Sequence, residues 1–151
     1  MIDTLSPERR SALMGRVKSK NTGPEIVVRK LVSGLGYRYR LHGAKLPGKP
    51  DLVFAKRRLA IFVHGCFWHR HQAKTCRLAR MPGSRVAYWT AKLEGNRKRD
   101  ARNRRALARA GWRTLVVWEC QLRDTDRTRA RLARFLAERG SAARVRSGQK
   151  N

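Results

Sequence analysis

Residues Val63 to Cys76 read V-H-G-C-F-W-H-R-H-Q-A-K-T-C and hold three of the chain's four histidines and two of its three cysteines. Imidazole and thiolate are the ligands zinc prefers. Imidazoles also take and give protons near neutral pH. Four residues separate Cys66 from His71 and four separate His71 from Cys76, while Cys120 follows a predicted strand, Leu115–Trp118. Together these make a closed tetrahedral set, the form in which structural zinc is held. The spacing matches no common finger, and three buried thiols with one loop histidine are the plain alternative.

A second candidate is Asp51 in Pro47-Gly48-Lys49-Pro50-Asp51, a carboxylate at the mouth of a strand after a Gly/Pro loop. Such a group is pre-positioned for Mg²⁺, with water completing the octahedron, or it merely caps a turn. The neighbouring apolar run Leu59–Val63 would deliver His64 beside it. Glu25 faces the same choice between cap and site, because Thr22-x-x-Glu25 has the form of a capping box. Phe67-Trp68 and Tyr88-Trp89 put aromatic wedges into a basic surface, where apolar rings can part stacked bases. Trp112 and Trp118, beside or in a strand, read as core. Met14 is either core or a further wedge.

The elements that position these residues follow from local pattern. Ser6-Pro7-Glu8 starts a helix to about Val17, and Thr22 starts a second that stops near Gly34 or Gly36. Tyr37–Leu41 alternates aromatic and basic residues as a strand. His42 to Pro50 is a loop. Asp51–Ala55 and Leu59–Val63 form a hairpin about Lys56-Arg57-Arg58. A long charged helix from Val86 to Ala110 closes at Gly111. Arg113–Trp118 is a strand, and Thr125 to about Glu138 the last helix. The architecture is α/β, a small mixed sheet flanked by helices, with one domain over 1–138 and a basic tail over 139–151 expected to be frayed or disordered.

Thirty-seven Lys and Arg against ten Asp and Glu give +27 and a pI near 11.8. Such an excess points to a polyanionic partner. Nucleic acid leads, while ribosomal RNA, duplex DNA and acidic membrane are all open on charge alone. An odd cysteine count argues against a disulfide framework and for a reducing compartment. The amino-terminal residues lack a cationic segment followed by an apolar run, and no apolar run is long enough to cross a bilayer. A cytoplasmic, monomeric protein is expected, without membrane attachment.

The strings L-P-G-K-P-D-L-V-F, I-F-V-H-G-C-F-W-H and V-V-W-E-C resemble the very-short-patch-repair (Vsr) DNA mismatch endonucleases of bacteria. The similarity spans roughly Ser6 to Asp124 and includes N-R-K-R-D in the long helix. It implies a restriction-endonuclease-like fold and nicking beside the thymine of a T:G mismatch left by 5-methylcytosine deamination. By resemblance, Asp51 coordinates Mg²⁺, His69 is the acid/base residue, His64 contacts the phosphate or its water, and Glu25 binds a metal-coordinated water. Asp100 would position the catalytic imidazole. Cys66, His71, Cys76 and Cys120 match the structural zinc ligands. Phe67, Trp68 and Trp89 match the aromatic wedge, with Met14 approaching from the other groove. The family often has Thr where Val63 stands, which matters little if the backbone carbonyl is the Mg²⁺ ligand. Gln72 to Thr75 lengthen the zinc loop, which must bulge.

The partners implied are double-stranded DNA carrying T:G and proteins of mismatch repair, with the enzyme working at the nucleoid. Two other readings stand beside this one. A restriction-like nuclease would cut a different DNA target, and a non-catalytic, zinc-stabilised module would bind DNA without cutting it.

Overall fold

Thr22 opens a helix as its pattern anticipates: its hydroxyl accepts from the Glu25 N–H at 3.4 Å, and Pro24 sits in the first turn. This helix, α1 (Gly23–Gly34), ends where Leu35 caps it and Gly36 adopts φ +88°, a conformation that favours glycine. The computed structural model describes residues 22–69, 71, 76–79 and 81–140. The helix expected over Ser6–Val17, with Met14, lies outside the described residues, as do Gln72–Thr75 and the tail from Ser141.

The remaining elements are β1 (Arg40–Leu41), β2 (Leu52–Phe54), β3 (Leu59–His64), α2 (Val86–Arg109), β4 (Arg113–Trp118) and α3 (Thr125–Leu136). The sheet order is β1-β2-β3-β4. β1 and β2 pair antiparallel, as do β2 and β3, while β3 and β4 run parallel with α2 as the crossover between them. The hairpin expectation holds, its turn being a 3₁₀ turn at Ala55–Arg57 closed by Arg58 at φ +57°. β1 is shorter than the alternation of Tyr37–Leu41 suggests. Tyr39 instead packs edge-on against Phe54 at 6.4 Å, and the Arg57 guanidinium lies over the Tyr37 ring at 5.2 Å.

Alternation along the strands sorts two cores. Leu52, Phe54, Leu59, Ile61 and Val117 meet Val28, Leu31 and Val32 of α1 and Leu132, Phe135 and Leu136 of α3. Val53, Ala60 and Phe62 point the other way, to Leu107 and Trp112. Each fully buried aliphatic side chain here stabilises the fold by about 1.5–3 kcal/mol relative to exposure. The chain stays docked past α3, with the Gly140 N–H donating to the Arg57 carbonyl at 2.7 Å. Among the described residues, no helix is long and apolar enough to cross a membrane.

Candidate active site and metal centre

The parallel register of β3 and β4 builds the thiol cluster. His64 pairs with Trp118 at the strand ends, so Cys66 and Cys120 each lie two residues beyond a paired position. The Cys120 N–H donates to Cys66 Sγ at 3.4 Å, and Cys120 Sγ is 3.5 Å from His71 Nδ1. Ligand atoms of Cys66, His71, Cys76 and Cys120 all lie within 4.8 Å of one another. A tetrahedral ion with metal–sulfur bonds of about 2.3 Å has edges near 3.8 Å, so a zinc-sized ion fits this set. Burial raises the pKa of the Cys66 and Cys120 thiols and lowers that of His71. Thiolates are therefore held here only if a cation replaces their protons. The His71 ring stacks on Trp118 at 4.1 Å, which fixes its orientation. Trp118 is thus a wall between the thiol cluster and the histidines rather than core, because β4 ends at the site.

Asp51 sits where β2 begins, and its Oδ2 accepts from the Val63 N–H at 2.7 Å. Burial pushes Asp51 up to about 6, the Val63 bond opposes this, and Glu25 adds to the rise by its charge and by a side-chain hydrogen bond. Glu25 is 1% exposed, and its carboxylate accepts from Arg29 and from His42 Nε2, the latter at 2.8 Å. Burial would raise the Glu25 pKa, but Arg29 and His42 together hold it below the usual carboxylate value. Only half of the expected capping box forms. The Glu25 carboxylate leaves Thr22 and joins Asp51. Two facing carboxylates are the donor set of a hard divalent ion such as Mg²⁺, which relieves their repulsion.

One residue along β3, His64 is buried and stacks face to face on His69, with ring centroids 3.8 Å apart and planes 4° apart. His69 Nδ1 is 2.6 Å from Asp100 Oδ2 on α2. Burial drives His64 down to about 3, with His69 adding to the drop, so it stays neutral at any working pH. Its Nδ1 has no hydrogen-bond partner among the described residues. Ligand atoms of His64, His69 and Asp100 also fall within 4.8 Å of one another. Stacked rings, however, send their in-plane lone pairs out parallel, so they do not converge on one ion. The arrangement suits proton handling better: a carboxylate on Nδ1 leaves Nε2 of His69 free to take or give a proton.

α2 supplies this support through one inward stripe. Trp89, Leu93 and Leu107 are buried on it, and Asn96, Asp100 and Asn103 occupy the positions between. Asn96 Nδ2 donates to the Trp68 carbonyl at 3.0 Å. A Cβ on Gly48 would approach the Asn103 Cβ at 3.0 Å, so the loop before Asp51 rests on the same helix. Phe67, Trp68 and Trp89 form one aromatic group with centroids 5.1–6.1 Å apart. Phe67 and Trp68 are half-buried instead of fully exposed, because each ring covers the others and Trp89 is buried beneath them. His42 and Asn96 were missed by sequence reading. For Asn96 the signal was a short polar side chain in helical register with the apolar Trp89, Leu93 and Leu107.

A family model described as DNA mismatch endonuclease Vsr matches residues 2–75. The chain is 55% identical to a type II nicking enzyme, V.XorIIP, of Xanthomonas oryzae pv. oryzae, over 90% of this chain and 98% of the relative. It is 38% identical to the type II nicking enzyme V.NmeAIP of Neisseria meningitidis serogroup A, over 91% and 96% respectively. It is also 35% identical to the DNA mismatch endonuclease Vsr of Escherichia coli K12, over 96% and 94%.

Proposed function

Since the chain belongs to the Vsr family of DNA mismatch endonucleases, a family of DNA-hydrolysing enzymes, we propose that it nicks one strand of duplex DNA beside the thymine of a T:G mismatch. The carrying observation is that two adjacent residues at the carboxyl end of β3 hold the two groups: the Val63 N–H donates to Asp51, which faces Glu25, and the His64 ring stacks on His69, which bonds Asp100. Phosphodiester hydrolysis needs charge neutralisation at the phosphate and proton transfer at the attacking and leaving oxygens. One group of residues suits each need. We read the sheet with its site at this edge as a restriction-endonuclease-like fold.

Asp51 and Glu25 would hold Mg²⁺ through carboxylate and bound water, with the Val63 carbonyl as a backbone ligand. In an extended strand the C=O leaves on the same side as the N–H. For Val63 that side faces Asp51, and the next antiparallel partner would be Pro50, which has no N–H to donate. When bound, Mg²⁺ supplies charge neutralisation at the scissile phosphate. His69 takes the proton of the attacking water or returns one to the leaving oxygen, and Asp100 fixes its tautomer. His64, neutral and stacked beneath, offers the phosphate a hydrogen bond and stops His69 from rotating.

Phe67, Trp68 and Trp89 form the wedge that parts the steps flanking the mismatch, with Met14 entering from the opposite groove. A T:G wobble stacks weakly, which lowers the few kcal/mol this parting costs. Cys66, His71, Cys76 and Cys120 hold a structural Zn²⁺ that fixes the loop carrying Phe67, Trp68 and His69. The enzyme works as a cytoplasmic monomer at the nucleoid, on lesions left by 5-methylcytosine deamination, and hands its nick to mismatch-repair proteins.

The decisive test is a nicking assay on duplexes that differ only in a central T:G, T:A or C:G pair. Nicking of the T strand of the T:G duplex alone is expected. Equal cutting of all three would point to a restriction-like nuclease, and binding without cutting to a non-catalytic module. Asp100→Asn weakens the grip on His69, and its kcat should fall by roughly 10²-fold, at the low end for a general acid–base residue. KM and melting temperature should hold, because Asp100 touches neither DNA nor core. A changed KM with unchanged kcat would remove the positioning role.

A further inference from the structure

His42 stands in a loop by its sequence, yet the sheet register places it directly across from Asp51. Arg40 pairs with Val53 and Leu41 with Leu52, so the next antiparallel pair is His42 with Asp51. The His42 N–H donates to the Asp51 carbonyl at 2.9 Å, and the Gly43 N–H to the Pro50 carbonyl at 2.9 Å. These two bonds close the neck of the loop that presents Asp51. His42 itself has φ +51°, in the left-handed region that only a minority of non-glycine residues adopt. That conformation turns the imidazole out of the strand direction and onto α1, where Nε2 lies 2.8 Å from Glu25 Oε2. One residue thus ties the backbone of Asp51 to the side chain of Glu25.

Arg29 also bonds Glu25, from four residues along the same helix, and its Nη2 lies 3.5 Å from the same His42 Nε2, so His42 sits on the loop side of both groups. His42 lies seventeen positions beyond Glu25, and its contact with the carboxylate crosses from helix to hairpin. Without His42, the carboxylate would reach the hairpin through Asp51 itself, a like charge that repels it. The cross-link to His42 instead fixes its distance from Asp51.

Resting on the proposed Mg²⁺ site, we infer that His42 is a positioning residue that holds the Glu25 carboxylate against Asp51, so that both reach one divalent ion. The imidazole does not itself touch the ion or the DNA. A variant should therefore keep its role if it places an N–H donor at the same reach. His42→Gln does so through its amide. His42→Asn tolerates the left-handed backbone but falls short of Glu25, and His42→Ala lacks any donor.

The test uses the zinc-loaded full chain and Mn²⁺ alone, followed by loss of the free-ion electron paramagnetic resonance signal, with Asp51→Asn as the non-binding control. Supporting residues of metal sites typically change affinity 10–100-fold, so His42→Ala and His42→Asn should each bind Mn²⁺ at least about tenfold more weakly. His42→Gln should recover to within about threefold of the parent, well inside that range. His42→Asn should melt at least as high as His42→Gln, because asparagine suits the left-handed backbone, so its weaker Mn²⁺ binding separates positioning from folding. Parent-like Mn²⁺ binding by His42→Ala overturns the inference, and so does His42→Gln binding no better than His42→Ala. If the parent fails to nick T:G duplexes while the Mn²⁺ series behaves as stated, the mismatch reading falls and the role of His42 stands.

Discussion

Asp51→Asn is expected to silence nicking and, at the same time, to make the metal-free protein harder to unfold. The two effects share one cause. Asp51 is drawn into a poorly solvated position beside Glu25, and burial with this like charge raises its carboxyl to about 6. A carboxyl whose folded pKa is raised favours the folded state at low pH and loses that favour as pH rises from its unfolded value, about 4, through about 6. Above that window the ionised group costs the fold about 2–3 kcal/mol, at 1.36 kcal/mol per pKa unit. Asparagine removes the charge and keeps an oxygen for the Val63 N–H. Its melting temperature should rise by roughly 5–10 °C at pH 7.5 for a domain of this size, with the gain vanishing below about pH 4.

The same substitution removes the proposed anionic ligand of the divalent ion. A divalent ion at a phosphoryl oxygen is worth several kcal/mol in the transition state, so nicking of T:G duplex should fall by about 10³-fold or more. T:G binding, which the proposal assigns to the aromatic group and the basic surface, should stay within a few-fold in a gel-shift titration. A variant that still nicks within tenfold of the parent, or that melts lower, would show that Asp51 serves the fold.

The parts of this site written in local spacing were legible in the chain. The hairpin, the long helix and the strand before Cys120 emerge from alternation, glycine placement and turn residues, because those patterns act over a few positions. Asp51 and the thiol set stood out because residue types with few ordinary structural roles occupied strand ends. What needed tertiary pairing was hidden. Glu25 had a complete local explanation as a capping residue, and only the approach of β1 to α1 draws its carboxylate away from Thr22. His42 carried no motif at all; its importance arises from cross-strand register and one left-handed residue. Trp118 resembled strand core because sequence does not show that β4 ends at the metal cluster, where its ring meets His71 and His64. Asn96 stood among arginines on α2 with no motif to mark it, and Asp100 was reached only through the resemblance, because the partners of both come from the loop after β3.

Removal of the proposed zinc should unfold the protein rather than merely slow it, and in a defined order. The proposed ion would join two strand ends to a loop. Cys66 and Cys120 extend β3 and β4, while His71 and Cys76 lie beyond His69. Structural zinc binding is worth on the order of 10 kcal/mol, comparable to the whole stability of an ordinary domain, about 5–15 kcal/mol. The two hydrophobic cores described above are therefore insufficient compensation once the buried Cys66 thiol and the half-buried Cys76 and Cys120 thiols regain their protons and the loop is released. The parent should carry one zinc per chain. Dilute EDTA should stop nicking reversibly by removing Mg²⁺, with the melting curve unchanged. A stronger, zinc-competent chelator should first abolish activity, because His69 loses its fixed path to Asp100 from inside the zinc loop. Only afterwards should far-ultraviolet circular dichroism collapse. Cys66→Ser, at a fully buried ligand, should reproduce the collapsed state without chelator. Cooperative melting of a zinc-free parent at an unchanged temperature would show that the thiol cluster holds no structural ion. The order of events matters as much as the end point: loss of helix before loss of nicking would place the zinc in support of the sheet alone, independent of the loop that carries His69.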